Sequence, residues 1–411
     1  MIKNTMDFVA GISNREFNRE SSIYAQILKN ERIKRKMTLE TMAKDICSVS
    51  YLCKLENSLV KRNDCFVKAL FEKVNLNFDR ISTDLTEELC DEILKAVFLR
   101  REDEVERLFD KVDGLPFSSS SEIIKCFYYL QKRDFEKYKE EFKLLEKIKF
   151  TLAETEAITL LYLVILYYMS IYDFQKAYEY LTLLDILNIE NKELKYLVSE
   201  ANLYTAFHLK NYKRFFLVYN QYEKITDSGY PTGRRIINKM LYNVVISSEY
   251  LGYVLDDVNS INLEDIPQTY KLDIMYYLLQ IKMIKGDKKE LFWEIINNTF
   301  YYDSRFLGLL AVICYLENDE ELYKRLLELA EKYRFLEEDS IHQRFVFFVL
   351  LYKTSGSNND FLRYIKEEII SKLDNESYPI YDDIYKEIYL RLLLSTSKYK
   401  ESFYFLEKFI K

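Results

Sequence analysis

The sequence predicts an all-α protein with a small N-terminal head and a long array of paired helices behind it. Glycine and proline, the residues that most often interrupt helices, number only 8 and 4 among 411 residues. Long apolar runs keep a helical period, and no stretch with strand-like alternation competes with them. Because 411 residues exceed what one compact core usually supports, we expect either several domains or a repeat array.

The charges of the chain are distributed unevenly. Residues 1–80 carry 15 Lys and Arg against 10 Asp and Glu, whereas the remaining residues carry 44 against 56. A basic head on an acidic body indicates that the head meets a polyanion and that the body does not.

Several classes of function are poorly supported. The six cysteines form no CxxC pair, and only His208 and His342 could serve as imidazole partners, so we expect no metal, no cofactor and no catalytic site. The longest uncharged run, residues 157–172, is shorter than the roughly 20 residues of a membrane-spanning helix. The N-terminus lacks the apolar core of a signal peptide. We therefore expect a reduced, cytoplasmic protein.

The head is predicted to occupy residues 21–82, after an N-terminal segment, residues 1–20, that is either a flexible arm or an added helix. Thr38 and Ser48 are N-cap residues for two short helices, and the small Ala43 lets that pair pack closely. A fourth helix is expected from Asp64 to Val74. Two short helices joined by a tight connection are typical of a helix-turn-helix.

The segment MTLETMAKDICSVSYLCKLEN, residues 37–57, resembles the helix-turn-helix of the Cro/lambda-repressor (Xre-type) family. The matching positions are Thr38, Met42, Ala43, Ser48, Leu52, Leu55 and Glu56. The segment is closer still to the peptide-pheromone-sensing regulators of Gram-positive bacteria, the Rgg/PlcR/PrgX/NprR group, and to their phage arbitrium-receptor relatives. Leu39 and Ser58 depart from the family pattern, which leaves the fold expectation intact.

A DNA-binding head needs cations that hold the duplex in register and side chains that read base edges. For base reading we expect Val49, Ser50 and Lys54, with Tyr51 nearby. For phosphate contacts we expect the flanking basic residues Lys34, Arg35, Lys36, Lys61 and Arg62. The alternative is that the basic residues form an ordinary solvated surface. Cys53 is expected to pack near the helix junction as a small apolar residue.

The body, residues 83–411, contains a recurring signature in which a polar or charged step precedes an aromatic residue and a new helix. The markers of this signature are Phe135, Phe174, Tyr212, Tyr253, Asp287, Asp319 and Tyr399. Their spacings of 39, 38, 41, 34 and 32 residues, with a last gap of 80 that fits two units, are typical of helix-pair repeats. We therefore predict a tetratricopeptide-like right-handed α-solenoid.

A solenoid of this kind usually binds an extended peptide or a partner helix in its groove. Asn202 and Asn243 each lie ten residues before a marker, which makes them equivalent positions of adjacent repeats. Asn side chains can pair with a peptide backbone, and the resemblance implies this role for groove asparagines. Arg235 and Asn238 are weaker candidates. The alternative is that these residues lie on helices where they face solvent or bond to a neighbouring helix.

The function that these patterns favour is that of a peptide-responsive transcriptional regulator. The head would bind operator DNA as one half of a homodimer, and the repeat domain would bind a short signalling peptide. The alternative is a solenoid that sequesters or controls a protein partner, with the DNA-binding head secondary. No enzyme is expected. The C-terminal stretch either closes the array or packs against a second subunit.

Overall fold

The computed structural model describes most of the chain, with gaps. The described residues are 2, 5–12, 22–57, 59–61, 63–78, 88–149, 152–225, 230–249, 266, 268–285, 287–298, 304–332, 341–354, 358–373 and 379–410. Within these ranges every regular element is a helix, which confirms the predicted all-α class. The chain divides into two compact units, Met1–Thr205 and Ala206–Lys411.

The first unit holds an N-terminal helix, the head and the first repeats. Its helices are α1 (Thr5–Ile12), α2 (Ser22–Lys34), α3 (Leu39–Ala43), α4 (Val49–Glu56), α5 (Asp64–Lys73), α6 (Leu89–Phe98), α7 (Glu102–Val112), α8 (Ser119–Gln131), α9 (Phe135–Ile148), α10 (Glu154–Ser170) and α11 (Phe174–Leu184). Helix α12 (Lys192–His208) contains the boundary between the units. The head therefore shares one compact unit with the repeats that follow it.

The second unit continues the array of paired helices. Its helices are α13 (Tyr212–Ile225), α14 (Thr232–Glu249), α15 (Gln268–Lys285), α16 (Lys288–Asn297), α17 (Ser304–Glu317), α18 (Glu320–Lys332), α19 (Ile341–Thr354), α20 (Asn358–Tyr364), α21 (Pro379–Ser395) and α22 (Tyr399–Ile410). A π-helical turn, Ile365–Ile369, and a 3₁₀ turn, Ile370–Lys372, extend α20.

At six described connections between the two helices of a pair, two or three residues separate the helices and one of them lies in the left-handed region. This residue is not glycine at any of the six such turns in the described repeats, which have Arg100, Arg133, Tyr172, Lys210, Asn318 and Ser397 at this position. At Arg133 the N–H groups of Arg133 and Asp134 donate to the carbonyls of Leu130 and Tyr129, the Schellman pattern that closes a helix. The Asp134 carboxylate then caps α9 by accepting from the Lys137 N–H at 3.2 Å.

The predicted signature coincides with these turns. Phe135, Phe174, Tyr212 and Tyr399 are the first residues of α9, α11, α13 and α22. Asp287 and Asp319 are N-cap residues that immediately precede α16 and α18, as Asp134 precedes α9. These two markers therefore lie at the cap position, one residue before the position that the aromatic markers occupy. Tyr253 lies outside the described residues. The pair α6 and α7 is a further repeat unit without an aromatic marker, and the 80-residue gap holds two pairs, as predicted.

The pairs also stack on one another through their first helices. In the first unit α8 contacts α6 and α10, and in the second α17 contacts α15 and α19. Second helices contact their own first helices, as α9 does with α8 and α11 with α10. This arrangement confirms the predicted tetratricopeptide-like repeats.

Part of the N-terminal segment is a packed helix. Helix α1 lies against α11 of the repeat array and buries Phe8, Val9 and Ile12. The Thr5 hydroxyl donates to the Ile2 carbonyl at 2.7 Å and closes the start of this helix. Residues 5–12 are thus held on the repeats, ahead of the head in the chain.

Within the described ranges, none of the helices is long and apolar enough to cross a membrane. The same residues include no group of three or more His, Cys, Asp or Glu side chains that could hold a metal ion.

Replacing Phe8 with alanine should lower the free energy of unfolding by about 3 kcal/mol, because it empties a fully buried aromatic site between α1 and α11. Met6 on the same helix is 67% exposed, so Met6→Ala should change stability by less than about 0.5 kcal/mol. Denaturant unfolding of both variants tests this. Equal effects would show that α1 does not pack as described.

Candidate nucleic-acid interface and peptide-binding residues

Helices α3 and α4 form the predicted two-helix unit of the head. The Thr38 hydroxyl caps α3 by accepting from the Thr41 N–H, and the Ser48 hydroxyl caps α4 by accepting from the Tyr51 N–H, both at 3.1 Å. Met42 and Ala43 are buried where α3 packs on α4 and α5. The predicted caps and the close packing at Ala43 are therefore confirmed.

A buried ion pair fixes α4 against α2. The Arg32 guanidinium donates to both oxygens of Glu56, from Nε at 2.7 Å and from Nη2 at 2.8 Å. Its Nη1 also donates to the Met37 carbonyl at 3.0 Å, just before α3. The hydrogen bond to Glu56 raises the pKa of Arg32 despite partial desolvation. Only 3% of Glu56 is exposed, so breaking the pair would leave a charge buried without its partner.

One side of α4 faces solvent. Val49, 41% exposed, and Ser50 and Lys54 all lie on it, as expected for residues that read DNA. Cys53 is exposed on the same side, so the prediction that it packs at the helix junction is wrong. The junction is filled instead by Leu52 and Leu55.

Tyr51 points towards α5. Its hydroxyl accepts from the Asn63 N–H at 2.8 Å, and its ring meets Phe66 edge-on with centroids 5.4 Å apart. Asn63 in turn caps α5. Tyr51 therefore holds the connection between α4 and α5, a role that its position near the predicted base-reading residues did not reveal.

The basic residues differ in their surroundings. Lys34 and Arg35 both approach the Glu31 carboxylate, at 3.7 and 3.2 Å, which neutralises part of their charge. Lys36 and Lys61 are exposed, and Lys36 has a φ of 53° at the end of α2. Arg62 lies outside the described residues. Lys36 and Lys61 are thus the better placed cations for phosphate contacts.

A buried polar cluster joins the head to the repeats. Gln26 on α2 accepts from the Ser119 N–H at the start of α8 at 2.9 Å. The hydroxyls of Ser119 and Ser120 donate to the Glu156 carboxylate on α10. Sequence reasoning missed this cluster, although four consecutive serines at a helix start were visible in residues 118–121. It links the orientation of α2 to the first repeats.

The predicted peptide-binding residues are mostly buried. Asn202 lies on α12 in the first unit, while Asn238 and Asn243 lie on α14 in the second, and all three are largely buried. Arg235 is exposed on α14. That Asn202 and Asn243 share one groove stays a prediction.

Asn243 has the most unusual environment of the four. It is only 4% exposed, and neither its Nδ2 nor its Oδ1 has a hydrogen-bond partner among the described residues. The Oε1 atom of Gln280, on the adjacent α15, is likewise buried and unpaired in the described structure. Each such group costs about 1–3 kcal/mol, so these amides have unused hydrogen-bonding capacity for a ligand.

No protein-family model and no curated protein matches the chain. The solved structures similar to the chain include the following three. The first is Bacillus thuringiensis PlcR in complex with the peptide PapR7 and DNA, with a TM-score of 0.35 and 13% identity over 66% of this chain and 99% of that one. The second is the apo form of the competence regulator ComR from Streptococcus vestibularis, with a TM-score of 0.33 and 10% identity over 68% of this chain and 98% of that one. The third is the SHP pheromone receptor Rgg2 from Streptococcus dysgalactiae, with a TM-score of 0.26 and 15% identity over 67% of this chain and 97% of that one. The names PlcR and Rgg belong to the group that residues 37–57 resemble. At these identities and TM-scores the likeness carries no inference about individual site residues.

Proposed function

We propose that the protein is a cytoplasmic transcriptional regulator that binds operator DNA as a homodimer and is switched by a short signalling peptide. The observation that carries the proposal is the rigidly mounted α4, whose exposed side has the reading residues Val49, Ser50 and Lys54. The Arg32–Glu56 pair fixes this helix from behind, so the exposed side is preorganised to enter a major groove.

The charge distribution supports the DNA-binding role. The basic excess of residues 1–80 falls on the head, and the acidic excess falls on the repeats. Lys36 and Lys61 are exposed near the two ends of the α3–α4 unit, where cations can fix the register of a duplex through its phosphates. A protein-sequestering solenoid needs neither feature.

The buried amides support peptide binding in the repeats. An extended peptide presents unpaired N–H and C=O groups along its length, and Asn243 has both a donor and an acceptor without partners in the described residues. A bound peptide that satisfied them would favour the repeat conformation that it fits best. Two heads of a dimer must lie about 34–36 Å apart, or a multiple of this, to reach successive major grooves, so a shift in repeat curvature would change DNA affinity.

Helix α22 supports dimer formation. Tyr399, Phe403 and Leu406 form an exposed apolar stripe at i, i+4 and i+7 along it. An antiparallel, two-fold pairing of α22 with a second copy would bury this stripe and place Lys400 of each copy opposite Glu407 of the other. Both side chains are exposed in the single chain.

Selection of binding sites from random duplexes, with purified protein, tests the function. The regulator should enrich a palindromic or directly repeated motif, with or without candidate peptides from a random library. If no motif is enriched under either condition, while the protein captures a protein partner, the sequestering alternative holds instead.

Lys54→Ala should relax the base preference at one position of the enriched site, at a cost of about 1–3 kcal/mol in discrimination. Lys61→Ala should instead weaken binding to every duplex alike and reduce the slope of log affinity against log salt by about 1. Titrations of specific and scrambled duplexes at several salt concentrations separate the two effects. The same loss in both variants would contradict this division between base reading and phosphate binding.

Asn243→Leu should raise the free energy of unfolding by about 1–2 kcal/mol, because it removes a buried amide whose atoms have no partners among the described residues. The same change should weaken binding of a library-selected peptide at least about tenfold. Asn220→Leu, at an exposed position of α13, is the matched control and should leave peptide affinity unchanged. Lower stability with unchanged peptide affinity would make Asn243 a structural residue.

Lys400→Glu and Glu407→Lys should each weaken dimerisation about three- to tenfold, because two symmetric ion pairs become repulsive. The double variant should restore the wild-type affinity, as sedimentation equilibrium can show. Failure of the double variant to recover, with each single variant weakened, would place the interface elsewhere on the chain.

A further inference from the structure

The exposed side of α4 includes more residues than those predicted to read base edges. Five residues on or just after this helix are exposed in the described structure: Val49, Ser50, Cys53, Lys54 and Asn57. Two of them, Cys53 and Asn57, were not assigned to DNA reading. The opposite side carries the buried Leu52, Leu55 and Glu56.

Helix geometry gives the order of these residues around the exposed side of α4. With about 100° between successive residues, the five span an arc of roughly 140° that begins at Val49 and ends at Lys54. Cys53 lies one turn after Val49 and falls inside this arc, between Val49 and Ser50. Tyr51 falls outside it, in agreement with its contacts to Asn63 and Phe66 on α5.

The contacts of Asn57 fix the second turn of α4 without covering Cys53. The Asn57 Nδ2 donates to the Cys53 carbonyl at 2.8 Å and lies 3.8 Å from its sulfur. The Asn57 Oδ1 accepts from the Lys29 Nζ on α2 at 3.1 Å. The amide is therefore engaged at the helix end, and the Cys53 side chain remains exposed beside Ser50 and Lys54.

We propose that Cys53 is a base-contacting residue within the DNA-reading surface and sets the sequence preference there together with Ser50 and Lys54. This inference rests on the proposed function. A thiol is small and only weakly polar, so it lets the backbone of α4 approach the base edges closely. Its chemistry fits an apolar feature of the major groove, such as the thymine methyl group, better than it fits a hydrogen-bonding edge.

Protection from alkylation tests the contact directly. Replacing Cys47 and Cys65 with serine leaves Cys53 as the one non-buried cysteine, since Cys90, Cys126 and Cys314 are buried. The enriched operator duplex should slow the reaction of Cys53 with N-ethylmaleimide at least about tenfold, because the thiol is enclosed in the groove. A scrambled duplex at equal occupancy should slow it much less, because sequence-independent binding rests on phosphate contacts.

Substitution tests the specificity. Cys53→Gln should shift the selected base at one position towards adenine, which pairs with a Gln amide. Cys53→Trp should abolish specific binding and leave the thermal midpoint unchanged, because the site is exposed. Circular dichroism of both variants confirms that the head is folded before binding is measured.

The outcomes separate this inference from the function on which it rests. If the wild-type protein enriches no duplex, the proposed function fails. If it enriches a motif, but Cys53 reacts at the same rate with and without operator, the inference alone fails. Equal protection by operator and scrambled duplexes, with no change of motif in Cys53→Gln, also overturns it.

Discussion

The array of helix pairs depends on one local constraint, a residue in the left-handed region that separates the two helices of a pair at six described connections. An ordinary residue such as Arg133 or Tyr172 is disfavoured there by about 1–2 kcal/mol. The Schellman hydrogen bonds and the Asp134 and Asp173 caps offset this cost, because they satisfy groups that helix ends otherwise leave unpaired. Since the connection has only two or three residues, the second helix must run back along the first. A chain with few glycines can thus build a long array.

The head depends on a different kind of interaction, which joins residues far apart in sequence. The Arg32–Glu56 pair connects α2 to the end of α4, and the Tyr51 hydroxyl connects α4 to the start of α5. Neither contact involves the residues on the exposed side of α4, so these residues stay accessible. A helix that is held rigidly binds a partner with a smaller loss of conformational entropy than a mobile helix does.

Two sets of buried polar side chains differ in their hydrogen bonding and therefore in their effect on stability. Gln26, Ser119 and Glu156 are joined by hydrogen bonds that stabilise the contact between the head and the repeats, although the Gln26 Nε2 atom has no partner in the described structure. The amide of Asn243 is buried with both polar atoms unpaired in the described structure, which lowers stability. A ligand that forms hydrogen bonds with such a group would remove this destabilisation.

The sequence by itself determined the helical class, the caps at Thr38 and Ser48, and the first residues of α9, α11, α13 and α22. These features depend on hydrophobic period and on side chains that bond to neighbouring backbone, which are local properties. Only the tertiary structure decided that Cys53 faces solvent, that Tyr51 turns to α5, that α1 packs on α11 and that Asn243 is buried. Periodicity shows that a helix has an apolar side, but polar and small residues at its margins are assigned to core or surface by the helices packed beside them.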